Sequence, residues 1–145
     1  MRYCVMTETD IDRVVPLYLD YYNSHEGGAW TAQTAYKRIH QVWSHEDGYC
    51  LLLEHEREVL GFAMGHMEQY VDLVAYDLVE IVIAAEHQGK GLGTLLMGEL
   101  EQRVKALGAS MIQLQAVNDE RHHRFYGKLN YFDANNFVLK AKFLE

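Results

Sequence analysis

Between Gln88 and Thr94 the chain reads Gln-Gly-Lys-Gly-Leu-Gly-Thr, with glycines at 89, 91 and 93. An apolar run, Ile81-Val-Ile-Ala-Ala85, precedes it and an amphipathic stretch follows. A buried strand that ends in such a turn and opens a helix binds anions. Free N–H groups point outward at the helix start, the helix dipole adds positive potential, and glycines let a phosphate approach the backbone. Three glycines in five residues exceed what a tight strand-to-helix turn needs. Two familiar phosphate motifs are absent: Lys90 is followed by Gly91 and Leu92 instead of the Ser or Thr of a P-loop, and glycines at every second position do not make the dinucleotide fingerprint.

The elements that must hold this turn follow from periodicity. Arg2 to Met6 forms a short strand, and Asp10 caps a helix whose apolar residues Ile11, Val14, Val15, Tyr18, Leu19 and Tyr22 recur at helical spacing, with Pro16 kinking it or delaying its start. Thr31 caps a second helix carrying Ala35, Tyr36, Ile39, Val42 and Trp43 on one side. Tyr49 to Leu53 is a strand, Glu54 to Glu58 a hairpin turn, Val59 to Tyr70 a long strand weakened by Gly61 and Gly65, and Tyr76 to Ala84 the next strand. Gly91 to Leu107 is the clearest helix, with Gly108 placed to reach positive φ beyond it. Met111 to Ala116 returns as a strand, which implies a right-handed crossover between parallel neighbours. A helix over His122 to Leu129 and a terminal strand or hairpin over Tyr131 to Phe143 complete the chain. With a single proline and no linker-like stretch, residues 1–145 read as one domain.

With these elements in place, the segment Gln88-Gly-Lys-Gly-Leu-Gly93 resembles the coenzyme-binding signature of the GNAT superfamily of N-acetyltransferases. The likeness extends to Asn118 beyond the following strand, to Phe125-Tyr126, and to Asn130-Tyr131, where Asn130 replaces the family's usual glycine and suits a left-handed position. The resemblance implies an α/β (α+β) fold with a mixed central sheet of about six to seven strands and about four helices. It also implies direct transfer of an acetyl group from acetyl-coenzyme A to a primary amine.

On that resemblance, the N–H groups of Gln88, Gly89, Lys90, Gly91, Leu92, Gly93 and Thr94 hold the pyrophosphate. The backbone of Ile81, Val82 and Ile83 pairs with the pantetheine arm, an N–H near Ile83 polarises the thioester carbonyl, and Asn118 bonds the pantetheine or a water. Tyr126, whose phenol stays protonated near neutral pH, stands in the place of the acid that protonates the leaving thiolate. Glu80 is the carboxylate nearest the expected thioester and the candidate base for the amine, although strand alternation puts it on the face opposite Ile81 and Ile83, so its role depends on a bulge or a water relay. Tyr22, His25, Glu26 and Trp30, with His66, Glu68 and Tyr70 alternating on one strand face, are candidates to line a pocket for a cationic acceptor. Each of these residues also has a plain structural use, as a packed aromatic, a strand-end turn residue or a solvated polar group.

Composition bounds the partners. The 13 Lys and Arg against 21 Asp and Glu give a net charge of −8, which disfavours nucleic acid phosphates and suits a positive substrate. No run of about 18 apolar residues is present to span a membrane, and the N-terminal MRYCVMTETD does not read as a signal peptide, so the cytoplasm is the expected compartment. Eight histidines include no metal-binding spacing, so no metal is expected, and Cys4 and Cys50 read as small apolar side chains. The resemblance implies a small-molecule or protein amine as acceptor, with homodimer formation left open. A competing class is an acyl-coenzyme A sensing or protein-binding module on the same scaffold, without turnover.

Overall fold

The computed structural model describes all 145 residues, which fall into two compact units, residues 1–115 and 116–145. The first unit is built on strands β1 (Arg2–Val5), β2 (Gly48–His55), β3 (Glu58–Gln69), β4 (Val74–Ile83) and β5 (Met111–Leu114). They form one sheet in the order β1-β2-β3-β4-β5, antiparallel at the first three pairings and parallel between β4 and β5. Glu56 and Arg57 both take positive φ at the tip of the β2–β3 hairpin, the twist that a two-residue turn requires.

Helix α1 (Ile11–Leu19) and helix α2 (Ala32–Trp43) bury Ile11, Val14, Val15, Tyr18, Ala35, Ile39 and Val42 in one cluster with Leu52, Phe62, Met64 and Val82 of the sheet. Helix α3 (Leu92–Ala106) buries Leu92, Leu96, Met97, Leu100 and Val104 against β2, β3 and β4, outside that cluster, so both faces of the sheet are covered. A strand buried on both faces reads as the continuous apolar run seen in β2 and β3. Gly108 takes φ 111° past the end of α3, as its position in the sequence leads one to expect.

In the second unit, helix α4 (Glu120–Lys128) is capped by Asp119, whose carboxylate accepts the His122 N–H at 2.8 Å, and Asn130 turns the chain out of it at φ 68°.

The mixed sheet with four α-helices agrees with the fold class read from sequence, but the strands number five, not six or seven. The difference lies at the C-terminus: residues 131–145 are in no strand, because the ladder partner a strand needs is not supplied. Asp10 does not cap α1. Its carboxylate turns back to the Thr7 N–H at 2.8 Å and to Arg13 at 3.0 Å, whereas Thr31 caps α2 as expected, accepting from Thr34 N–H at 3.1 Å. Pro16 lies on the exposed side of α1 and does not delay its start; the helix instead widens into a π turn over Asp20–His25.

Candidate active site

The β3–β4 ladder slips once. Met64 faces Glu80 while Gly65 faces Leu78, so Val79 is an extra residue in β4, a β-bulge immediately before Glu80. Gly65 permits it: a Cβ there would penetrate the Asp77 carbonyl oxygen and stand 2.8 Å from the Tyr76 ring. Beyond the bulge, alternation resumes, with Glu80 and Val82 buried and Ile81 and Ile83 half-buried.

Glu80 therefore points to the α1/α2 side, and three donors converge on it. Tyr22 Oη donates at 2.5 Å, Arg38 Nε at 3.3 Å and Tyr18 Oη at 3.5 Å. A buried carboxylate needs such partners, because burial strips its oxygens of the hydrogen bonds that water would supply. Burial, and then the adjacent Glu80 charge, push the Tyr18 and Tyr22 phenols well above their ordinary range, so both remain donors. Trp30 closes this cluster edge-on to Tyr18 with centroids 5.0 Å apart, and the Asn23 side chain ties the loop by accepting from Trp30 N–H and donating to Trp30 C=O, both at 2.8 Å.

The fold thus brings Tyr22, Trp30 and Glu80 together. His25 and Glu26 sit next door on the exposed loop, where His25 lies against Tyr21 and Glu26 accepts from Tyr21 Oη at 3.0 Å. His66 and Glu68 belong to a different group. His66 is buried, stacks on His45 with ring centroids 3.6 Å apart, and lies 3.2 Å from Glu68 and 3.8 Å from Asp77. Burial raises the Asp77 carboxyl, with the neighbouring imidazoles acting in the opposite sense. His45, His66 and Glu68 offer ligand atoms within 4.8 Å of one another, as do Glu58, Glu86 and His87. The near-parallel rings of His45 and His66, inclined by 8°, direct their in-plane lone pairs side by side instead of onto one point.

The β5 edge of β4 is the second feature. Strand β5 pairs with β4 only from Ala75 to Leu78, so the backbone from Val79 to Ile83 carries no strand on that side. A turn over residues 85–91 follows, in which Gln88 Nε2 donates to Ile83 C=O at 3.0 Å and clamps the turn onto the strand end. The Gln88 N–H itself turns inward to Ala85 C=O at 3.3 Å, so the outward donors begin at Gly89. Gly89 and Gly91 both have φ 78°, a left-handed conformation that costs other L-residues about 1–2 kcal/mol, and no atom lies within 4 Å of where their Cβ would be. The N–H groups of Leu92, Gly93 and Thr94 precede the first α3 hydrogen bond, Leu95 N–H to Gly91 C=O, and no side chain caps them. Lys90 and Thr94 are exposed beside them.

In the second unit, Tyr126 lies on α4 with Phe125 and Tyr131 around it, at centroid distances of 5.0 and 5.7 Å, and the exposed Asn118 meets His123 Nε2 at 2.5 Å. Arg38 and Tyr18 are the residues that reading the sequence missed. A signal for Arg38 existed: it falls three residues after Ala35 and four before Val42, a lone cation on the sheet-facing stripe of α2. Cys50 is buried and its thiol is pushed up to about 11, while Cys4, read as apolar, donates to Glu54 at 2.8 Å.

The open strand edge runs into the glycine turn and the uncapped helix start, so unpaired backbone groups of both lie along one continuous stretch of chain. Residues 11–131 match the acetyltransferase (GNAT) family, and the chain belongs to it. No curated protein sequence matches the chain. Among solved structures, a transcriptional regulator from Bacillus halodurans C-125 superposes with TM-score 0.79 at 19% identity, covering 98% of this chain and 99% of that one. A ribosomal-protein-alanine N-acetyltransferase from Brucella melitensis biovar Abortus 2308 gives 0.77 at 15% identity, with 99% and 100% covered. A GNAT family acetyltransferase from Staphylococcus aureus gives 0.66 at 19% identity, with 99% and 96% covered. At such identities these likenesses concern the fold. Family membership carries acetyl transfer, with acetyl-coenzyme A as donor, as the general chemistry. No helix is long and apolar enough to cross a membrane.

Proposed function

We propose that the protein transfers the acetyl group of acetyl-coenzyme A directly to the primary amine of a cationic acceptor. The observation that carries this reading is the unpaired β4 edge from Val79 to Ile83, which continues into the left-handed glycines of the turn and the uncapped start of α3. An extended pantetheine arm adds to such an edge as a strand would, and the pyrophosphate takes the N–H groups from Gly89 to Thr94. The fit supports the coenzyme as a bound co-substrate, which supplies the activated acyl carbon.

The chain's own residues then do the rest. A backbone N–H near Ile83 polarises the thioester carbonyl and holds the oxyanion. Glu80, oriented by hydrogen bonds from Arg38 and Tyr22, receives the ammonium proton directly or through one water, which frees the amine lone pair for attack. Tyr126 returns a proton to the departing thiolate, and Asn118 orients the pantetheine end. Glu26 and Trp30, on the loop beside Tyr22, receive the acceptor, whose approach the net charge of −8 favours.

Amine-dependent release of free thiol from acetyl-coenzyme A, scanned over polyamines, amino acids, aminoglycosides and peptide N-termini, tests the reading. Turnover with cationic amines, weakened by salt, is the expected result. Coenzyme binding with no thiol release from any amine would make the chain a sensing module instead.

A further inference from the structure

His66 is 6% exposed, and neither of its ring nitrogens makes a hydrogen bond. Nδ1 is fully buried, with Glu68 Oε1 3.2 Å away but out of line for a hydrogen bond, and Nε2 lies 3.8 Å from Asp77 Oδ2, beyond hydrogen-bond reach. Buried polar groups are nearly always satisfied, so an orphaned ring nitrogen between two carboxylates calls for an explanation. The backbone builds this arrangement: His66 and Glu68, two residues apart on β3, share a face, and Asp77 stands opposite His66 on β4. His45 completes the group. The Met67 N–H donates to Asp47 C=O at 3.0 Å, which holds the loop after α2 against β3, and there the His45 ring stacks on His66. His45 Nδ1 lies 2.8 Å from Glu46 C=O, which can only accept, so in the neutral ring Nδ1 carries the hydrogen and Nε2 presents a bare lone pair.

We infer that His45, His66 and Glu68 bind a divalent transition-metal ion of the Zn²⁺ type, with Asp77 as the carboxylate that orients His66. Two imidazole nitrogens and a carboxylate oxygen suit Zn²⁺ and not the all-oxygen shells of Ca²⁺ or Mg²⁺. The three ligand atoms lie within 4.8 Å of one another. The 3.2 Å between His66 Nδ1 and Glu68 Oε1 is close to the edge, about 3.3 Å, of a tetrahedron with metal–ligand bonds of about 2.0–2.1 Å. Histidines that bind metals as a rule donate their other N–H to a carboxylate or a backbone carbonyl. Both such partners are present, Asp77 beside His66 Nε2 and Glu46 C=O at His45 Nδ1. A proton on His66 Nδ1 in place of the ion would bury an imidazolium with neither N–H bonded, which is costly. In the stack the bare nitrogens run side by side, so the exposed His45 turns its ring out of the stack to meet the ion. The ion then ties the end of α2 to the β3–β4 ladder, next to the bulge that sets Glu80. The inference uses none of the residues through which acetyl transfer is proposed, so the two readings stand or fall separately.

Titration of Zn²⁺ into the full chain, free of any affinity tag and stripped of metal by a chelator, tests this by calorimetry and by the nitrogen NMR shifts of the imidazole rings. One saturable Zn²⁺ per chain is expected, with the His66 Nδ1 and His45 Nε2 resonances moving together. Asp77→Asn should weaken binding about 10- to 100-fold, the usual cost of losing the group that orients a ligand, and His45→Ala and Glu68→Gln should each weaken it further. These last two side chains lie outside the apolar core, so both variants are expected to fold. Glu58→Gln, in the exposed group of Glu58, Glu86 and His87, should leave the affinity unchanged. Absence of saturable binding, binding that survives His45→Ala and Glu68→Gln undiminished, or binding lost in Glu58→Gln would each overturn the inference.

Discussion

Tyr22 and Glu80 stand 58 residues apart in the chain, and the phenol of one donates to the buried carboxylate of the other at 2.5 Å. Tyr22 comes from the π turn that follows α1, and Glu80 from the strand position just past a bulge. Neither departure from regular structure has an evident use without the other. The wider turn and the extra residue together bring the phenol and the carboxylate into line beneath Arg38.

Replacing Glu80 with Gln keeps the shape and one acceptor oxygen while removing the charge. If Glu80 takes the acceptor's proton, the single-turnover rate at saturating amine should fall by about 10²- to 10⁴-fold with coenzyme affinity unchanged. Tyr22→Phe should act differently, leaving the carboxylate one donor short and costing about 1–3 kcal/mol of stability. Equal chemical rates for wild type and Glu80→Gln would assign the carboxylate a purely structural part.

Gly91→Val places a branched side chain at φ 78° in the open mouth of the turn. Titration calorimetry should show coenzyme A binding weakened at least about tenfold, since a phosphate loses backbone donors worth about 1.5–3 kcal/mol each. Gly108→Ala is the control. It too puts a side chain at positive φ, here 111° past the far end of α3, and should bind coenzyme normally. Equal losses in both variants would point to general strain instead of an obstructed phosphate.

Tyr126→Phe preserves the ring contacts with Phe125 and Tyr131 and removes the proposed thiolate acid. Coenzyme affinity should barely change while the chemical step slows by about 10²- to 10⁴-fold, or less where water can substitute. Unchanged single-turnover rates would leave Tyr126 as a packing aromatic.

Acid stability should depend on Glu54. It is buried on β2 and accepts from Cys4 at 2.8 Å, from Arg13 at 2.5 Å and from Arg2 at 3.1 Å, and these donors hold its carboxyl down at about 2. A depressed folded-state value means that the stabilisation is complete above the unfolded value near 4.5 and is lost as pH falls from there towards about 2. Glu54→Gln should lower the melting temperature at pH 7 by about 4–10 °C and flatten the acid limb below pH 4.5. A variant melting curve parallel to wild type across that window would show that other carboxylates govern acid unfolding.

The elements of this protein are written locally. The apolar spacing of α1, α2 and α3, the left-handed Gly89, Gly91, Gly108 and Asn130, and the parallel crossover from β4 through α3 to β5 all follow from periodicities and backbone allowances that act within a few residues. The glycine turn was legible for the same reason. Nothing local, however, announces that Val79 is bulged out, because a bulge is a disagreement between two strands and Gly65 matters only through the Asp77 carbonyl it clears. Glu54 read as part of a charged turn and is instead buried among Arg2, Arg13 and Cys4, donors that only the β1–β2 pairing and the packing of α1 bring to it. Arg38 and Tyr18 became partners of Glu80 in the same way. The C-terminal segment marks the reverse limit: its sequence is that of a strand, but a strand exists only where a neighbour supplies its ladder, and that is decided by tertiary or quaternary structure.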